Sequence, residues 1–517
     1  MACTCSVPMT EGRLILKAQR KVRRDGARAP HEEVSITVVA IRSDTPCTMT
    51  RQQLLDQATR WFDEGHYQSV LSRRVAMPTA SDQPGNNEVL RAYLSQEMTP
   101  ALTACGFECQ VHDNPVPGAP PMMVARRIEE EGLPCVMTYG HGDVINGQDN
   151  QWRTGLQPWQ LQVEGDRWYG RGTADNKGQH TASLSALEHV IQARGGRLGY
   201  NVTLLLEMGE EAGSPGLREF CEQHRSLLAA DLLIACDGPR VHAQRPTVFL
   251  GSRGLVNFSL SLHSRERAYH SGNWGGVLTN PGIRVAHAVA SLTDAKGRIQ
   301  VEGLLPPPVS AEIRQALSGV DIGGGDDDPA TTPDWGEPGL SEAERLMAWN
   351  TIEVLAMGAG NPQRPVNAIP PSAVAHCQLR FVPGTRWQEL ADLVRVHLRA
   401  RGMDDIEVKV TASSPATRLD VQHPWVSWTL SSIQRSVGKP ATLLPNLAGS
   451  LPNDVFADVL NLPTVWVPHS YPACSQHAPN EHLLASVARE GVALMAGLYW
   501  DLGDAASNAP WALRPRT

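Results

Sequence analysis

The sequence predicts an α/β protein, with a mainly parallel sheet between helices and an inserted α+β module. Three observations carry this. Over residues 85–250 short apolar strands alternate with helical patterns, which implies crossover units. After about residue 249 the pattern changes to half-exposed alternation, as in an antiparallel sheet with one wet face. After residue 411 the first pattern returns. The predicted organisation is an irregular extension at 1–48, a first domain split between 49–248 and 412–517, and an inserted domain at 249–411. A chain of 517 residues also exceeds the length at which one core stops growing, roughly 250–300 residues.

Residues 1–48 are basic, with one short apolar run at 36–41. The sequence allows either a mobile extension or a translation start at Met49. Thr50 then reads as an N-cap, with Leu54, Leu55, Ala58, Trp61 and Phe62 on one helical face. Apolar strands are expected at 133–139, 202–207 and 231–236. Between the first two, Ala182, Leu184, Leu187, Val190 and Ile191 keep helical spacing until Gly195-Gly196 stops the helix. In the inserted module, strands are expected at 258–263, 351–357, 373–382 and 406–411, with helices at 283–293 and 386–401. A Pro/Gly/Asp-rich stretch at 303–340 reads as a loop insertion. Helices near 422–437 and 449–460, a strand at 463–467 and a closing helix at 481–500 complete the chain, with no internal repeat.

Apolar residues make up 41% and charged residues 19%, an ordinary globular balance. The net charge of -8 gives no basic footprint for nucleic acid or an anionic membrane, so neither is an expected partner. A small molecule is the expected ligand. The ten cysteines include no C-x-x-C pair, which fits a reduced, cytoplasmic setting. No apolar run approaches a membrane span or a signal-peptide core.

Five segments carry the chemistry: G-H-G-D-V at 140–144, G-R-G-T-A-D-N-K-G at 170–178, E-M-G-E-E-A-G at 207–213, A-C-D-G-P at 235–239 and H-A-P-N-E at 477–481. They place His141, Asp175, Glu210, Glu211, Asp237 and His477 at strand ends or in the following loops, where open α/β sheets bind ligands. Imidazole with carboxylate and no thiolate suits zinc or a similar ion, and the excess of carboxylates suits two cations better than one. Taken singly, Asp237 reads as a turn residue, Glu210 and Glu211 as a solvated pair, and His477 as a loop histidine. The glycine-rich 170–178 segment is neither G-x-G-x-x-G nor a Walker A sequence.

In this order the five segments resemble metallopeptidase family twenty, which includes aminoacylases, succinyl-diaminopimelate desuccinylases and carnosine-type dipeptidases. The resemblance covers roughly residues 49–500. It implies a zinc-exopeptidase-like catalytic domain with an inserted lid and dimerisation domain. It also implies two divalent ions per chain, zinc by preference, with manganese or cobalt compatible. His141 and Asp237 would hold one ion, Glu211 and His477 the other, and Asp175 both. Asp143 would orient His141, and Glu210 would be the general base.

Y-H-S-G-N-W-G-G at 269–276 resembles the lid motif of the dipeptidase branch, where the histidine reaches a neighbouring subunit's site and stabilises an oxyanion. His270 is the candidate, and a homodimer is implied. Arg380, near the end of V-A-H-C-Q-L-R-F-V-P, stands where relatives present an arginine to the substrate carboxylate. Gly449 and Ser450 are read as opening a helix, whose free N–H groups bind anions. Arg380 also fits a surface salt bridge and Ser450 a plain N-cap, while His180, His263 and His469 are read as structural.

The expected activity is a two-metal hydrolase cleaving a dipeptide-like bond beside a free carboxylate. The alternatives are an N-acyl or N-carbamoyl amino acid amidohydrolase and, from another class, a catalytically silent binding protein.

Overall fold

The computed structural model describes residues 6–8, 13–22, 32–40, 49–323 and 328–513. Residues 1–48, expected to be irregular, contain a three-stranded antiparallel sheet formed by Ser6–Pro8, Arg13–Val22 and Glu32–Ala40. The β-branched run through Val34, Ile36, Val38 and Val39 suits an extended backbone better than the basic composition implies.

The strands that build the two main sheets are, in chain order, β1 (Glu108–His112), β2 (Met122–Arg127), β3 (Cys135–His141), β4 (Asn201–Glu207), β5 (Leu232–Ala235), β6 (Thr247–Phe249), β7 (Gly254–His263), β8 (Thr351–Ala359), β9 (Ser372–Phe381), β10 (Glu407–Ser414), β11 (Thr442–Leu444) and β12 (Thr464–Trp466). The large sheet has eight strands in the order β11-β6-β12-β5-β3-β4-β2-β1. Its centre, β12-β5-β3-β4, is parallel; β4-β2, β2-β1 and β12-β6 pair antiparallel, and β6-β11 pair parallel. Every residue of β3, β4 and β5 is buried, which is why these strands read as continuous apolar runs.

Helices cover both faces. Arg51–Asp63 starts in a capping box between Thr50 and Gln53 and buries Leu54, Leu55, Ala58 and Phe62. Such a cap stabilises a helix by about 1 kcal/mol. Lys177–Ala193 packs against both the sheet and the closing helix Ala485–Leu502, and it ends before Gly195 and Gly196, both at positive φ. These helices share one core with Val136, Val202 and Ile234 of the sheet. Phe220, Phe456 and Trp466 belong to a second core.

The second sheet is antiparallel, in the order β8-β9-β7-β10. Its own core includes Phe258, Leu260, Leu379 and Phe381, with Val285 and Leu292 of Pro281–Leu292 and Val394 of Leu390–Arg399. This is the expected α/β layer with an α+β module inserted in its sequence.

Two expectations are corrected. The 303–340 stretch is not loop alone. It contains the helix Ala311–Leu317, which packs Leu317 into the second core, while residues 324–327 lie outside the described set. The predicted helix at 449–460 forms only over residues 453–459, wound as a wide helix over Val455–Val459. Pro452 disfavours helical backbone at Leu451, so the chain enters the turn later than its composition implies.

Candidate metal centre

The last residue of β3, His141, is fully buried, and its loop carries the equally buried Asp143. His141 Nδ1 lies 3.1 Å from the Asp143 carbonyl and 3.4 Å from the Asp143 carboxylate. A donor at Nδ1 leaves Nε2 with its lone pair toward the site, the tautomer a metal ligand needs. That face meets Asp175 Oδ1 at 3.0 Å and Asp237 Oδ2 at 3.6 Å. Asp237 Oδ2 is buried without a hydrogen-bond partner among the described residues.

Asp175 stands just before the helix that begins at Lys177, and its second oxygen faces the other way. Oδ2 lies 3.2 Å from His477 Nε2, which is in turn 2.8 Å from Glu211 Oε2. Ligand atoms therefore gather in two groups, His141–Asp175–Asp237 and Asp175–Glu211–His477, each within 4.8 Å. Asp175 is common to both. Glu210 belongs to neither group, and its Oε2 stands 4.0 Å from His141 Nε2.

The electrostatics match a cation site. Burial, reinforced by neighbouring carboxylates, raises the Glu210, Glu211 and Asp237 carboxyls above their ordinary range. Burial alone would depress His141, but Asp143, Asp175, Asp237 and Glu210 outweigh it and hold its pKa well above the usual value. His477 is raised to about 10, chiefly by hydrogen bonds to Asp175 and Glu211. Five carboxyls converge on two imidazoles, an excess of negative charge that divalent cations neutralise. The donor set, the shared Asp175 and the orphaned Asp237 oxygen all fit metal ions.

Several bracing residues escaped the motif reading. Glu481 is buried and accepts from Arg171 Nη1 at 2.8 Å and from the backbone N–H groups of Gly172, Ala174 and Asp175 at 3.0, 2.9 and 3.1 Å. It thereby fixes the loop that presents Asp175. Its only sequence signal is its place at the end of H-A-P-N-E. Asn176 Nδ2 donates to the Cys236 carbonyl at 2.8 Å, tying the Asp175 and Asp237 loops together. Gln476 also donates to Asp175.

Arg380 and Ser450 come together, with Arg380 Nη1 donating to Ser450 Oγ at 2.9 Å. Gly449 and Ser450 do not open a helix, so the expected free N–H groups of a helix end are not at that position. His270 is exposed in a short strand, Tyr269–His270, paired with Ala368–Ile369. Its Nδ1 accepts the Gly272 N–H, and no hydrogen bond or ion pair joins it to the metal-site residues of this chain among the described residues. His180 is buried and bonded to Tyr93 Oη and Asn176 Oδ1, and His469 lies buried against Gly491 and Cys236. His263 is exposed at the end of β7.

A family model described as "Peptidase family M20/M25/M40" matches residues 137–501. The cysteinylglycine-S-conjugate dipeptidase of Corynebacterium striatum is 27% identical over 332 residues, 62% of this chain and 70% of the relative. The Cys-Gly metallodipeptidase DUG1 of Saccharomyces cerevisiae is 23% identical over 458 residues, 83% of this chain and 93% of the relative. In fold, the chain is similar to an M20 family metallo-carboxypeptidase, Sso-CP2 from Sulfolobus solfataricus. The TM-score is 0.72 at 24% identity, covering 84% of this chain and 98% of the other.

Proposed function

We propose a reaction for this chain from one premise: it belongs to peptidase family M20/M25/M40, and is a metal-dependent peptidase. The reaction is hydrolysis of a dipeptide beside its free carboxylate. The observation that carries it is Asp175, whose two oxygens face the two ligand groups separately, while Glu210, in neither group, places its Oε2 4.0 Å from His141 Nε2.

Two divalent ions, zinc by preference and manganese or cobalt as alternatives, would be held by His141, Asp175 and Asp237 on one side and by Asp175, Glu211 and His477 on the other. Such ions polarise a carbonyl and bring the pKa of a water down to about 7. Glu210 takes the proton of the attacking water and returns it to the leaving amine, a role that its raised pKa suits. Asp143 keeps His141 oriented and holds the Glu210–Glu211 turn in place. Arg380, hydrogen-bonded to Ser450 near Gly449, offers a guanidinium to the substrate carboxylate.

The oxyanion donor is His270 of a second copy of the chain. Exposed Trp274, Val277 and Ile283, and Val354, Leu355 and Met357 on the edge strand β8, support assembly through the inserted domain. No helix among the described residues is long and apolar enough to cross a membrane, and the cytoplasmic assignment rests on cysteine usage.

A screen of dipeptides, N-acyl amino acids and N-carbamoyl amino acids, with zinc-, manganese- and cobalt-loaded protein, tests the reading. Dipeptides should be the best substrates. Turnover confined to acyl or carbamoyl compounds would reassign the chain as a deacylase or carbamoyl hydrolase, and metal-loaded protein without turnover would make it a binding protein.

A further inference from the structure

A cavity of about 580 Å³ lies between the open end of the lid sheet and the 297–346 segment, within the roughly 300–1,000 Å³ range of small-ligand sites. Its walls include the indoles of Trp335 and Trp349 with Ile299 and Leu346, and its lining also holds the Arg253 and Arg380 side chains. No metal-site residue lines it. The connection runs through Arg380 to Ser450, three residues after Leu447, whose side chain packs on Gly238 next to Asp237.

Arg253 is left partly unsatisfied by protein, whereas Arg380 donates from Nε to Gln378 Oε1 at 2.7 Å and from Nη1 to Ser450 Oγ at 2.9 Å. Arg253 is only 6% exposed, and its Nη1 is buried with no hydrogen-bond partner among the described residues, while its Nε donates to the Ala448 carbonyl at 2.9 Å. Burial and the charge of Arg380 push its pKa down to about 10, with Glu353 the carboxylate that opposes this. Neither arginine is in an ion pair among the described residues. Of the other two guanidiniums of the cavity, Arg298 donates to the Gly336 carbonyl, and Arg345 donates through Nη1 to the Pro333 and Trp335 carbonyls while its Nε is buried without a hydrogen-bond partner among the described residues. Trp335 is held over Gly297, where a Cβ would stand 2.7 Å from the ring. The ring is therefore fixed by packing while half its surface stays exposed.

We propose that this cavity is the subsite for the substrate's C-terminal residue, with Arg253 joining Arg380 on the carboxylate and Trp335 and Trp349 flanking a large apolar or aromatic side chain. The inference rests on the reading that Arg380 holds the substrate carboxylate. It adds the substrate class: dipeptides ending in a bulky apolar residue, rather than glycine. An orphaned guanidinium donor beside a second arginine calls for an anion, and two indoles next to that anion site call for an apolar group on the same ligand.

The test uses full-length, metal-loaded protein carrying Glu210→Gln, so that binding is read without turnover. Calorimetry should give at least tenfold tighter binding for N-acetyl-L-phenylalanine than for N-acetylglycine. Trp335→Ala, at a half-exposed position, should bring that ratio close to one, and Trp349→Ala should lower it independently. Arg253→Met should weaken both ligands about equally. A ratio near one in the folded parent protein overturns the subsite, and unchanged affinity for both ligands in Arg253→Met removes Arg253 from it. The ratio is read apart from hydrolysis, so a failed dipeptide screen with a preserved ratio would sink the reaction and leave the subsite standing.

Discussion

Asp143 accepts the backbone N–H of Glu210 on Oδ1 at 3.2 Å, while the same oxygen lies 3.4 Å from His141 Nδ1. One buried carboxylate thus sets both the imidazole of a candidate metal ligand and the turn that carries the candidate base. Because the backbone of Glu210 is held independently of its side chain, Glu210→Gln should keep the fold and the metals. Its kcat should fall by about 10² to 10⁴, the usual scale of general-base catalysis. Metal content and rate should be measured on the same sample. Near-normal turnover by the loaded mutant would remove Glu210 from the role.

Asp175→Ala should act differently, because Asp175 is the single residue common to both ligand groups. Loss of a shared carboxylate loosens both ions together, whereas Asp237→Ala should weaken one. Elemental analysis after dialysis separates the cases. Two tightly held ions in the Asp175 mutant would show that the bridge is misassigned.

Arg380→Met should raise KM for dipeptides by about 10- to 100-fold, the range expected for one charge-assisted hydrogen bond, with kcat changed only a few-fold. Ser450, which Arg380 contacts, should behave more mildly. Equal losses in kcat and kcat/KM would instead mean that Arg380 acts only in the transition state.

The metal-free protein should lose stability as pH rises. Glu211 is raised to about 7 by burial and Asp175, and Asp237 to about 6 by burial and Asp175, from ordinary values of 4.5 and 3.8. The folded state keeps protons that the unfolded chain releases, so this stability is present below the ordinary values and lost as pH climbs through the raised ones. His477, raised from 6.5 to about 10, has the same sign at higher pH. Asp175, held below its ordinary 3.8, has the opposite sign, but its contribution is complete above that pH. Bound cations relieve the carboxylate repulsion and need deprotonated ligands. The gap in Tm between metal-loaded and metal-free protein should therefore widen from pH 5.5 to pH 8. A constant or shrinking gap would contradict this account of the site.

The parallel core was legible because β3, β4 and β5 are buried on both faces and bounded by glycine and acidic turns. The candidate ligands could be picked out because each sits at a strand end or in a short marked loop. Glu481 was not. A buried glutamate that braces a loop 306 residues away leaves no periodic or spacing signal, and only tertiary structure brings it to Asp175. The approach of Arg253 to Arg380 was equally illegible, since Arg380 lies on another strand and Ser450, which bonds to both residues, in a distant loop. The helix expected at Gly449 failed at Pro452, where a local backbone restriction outweighed composition.

The last prediction concerns assembly. His270 is exposed, its hydrogen bond is local, and among the described residues no hydrogen bond or ion pair joins it to the candidate metal ligands. If it serves catalysis, it must serve the site of a second copy. Chains carrying Glu210→Gln and chains carrying His270→Ala should each be inactive alone. Co-expressed with different affinity tags, they should form mixed dimers in which one site has Glu210 from one chain and His270 from the other. Such dimers should regain up to about half the activity of the parent dimer, since each has two sites and only one is complete. Mixed dimers that form and stay as inactive as either parent would end the trans role of His270. A monomeric protein with full activity would end the dimer proposal as well, because a single chain would then have to supply its own oxyanion donor.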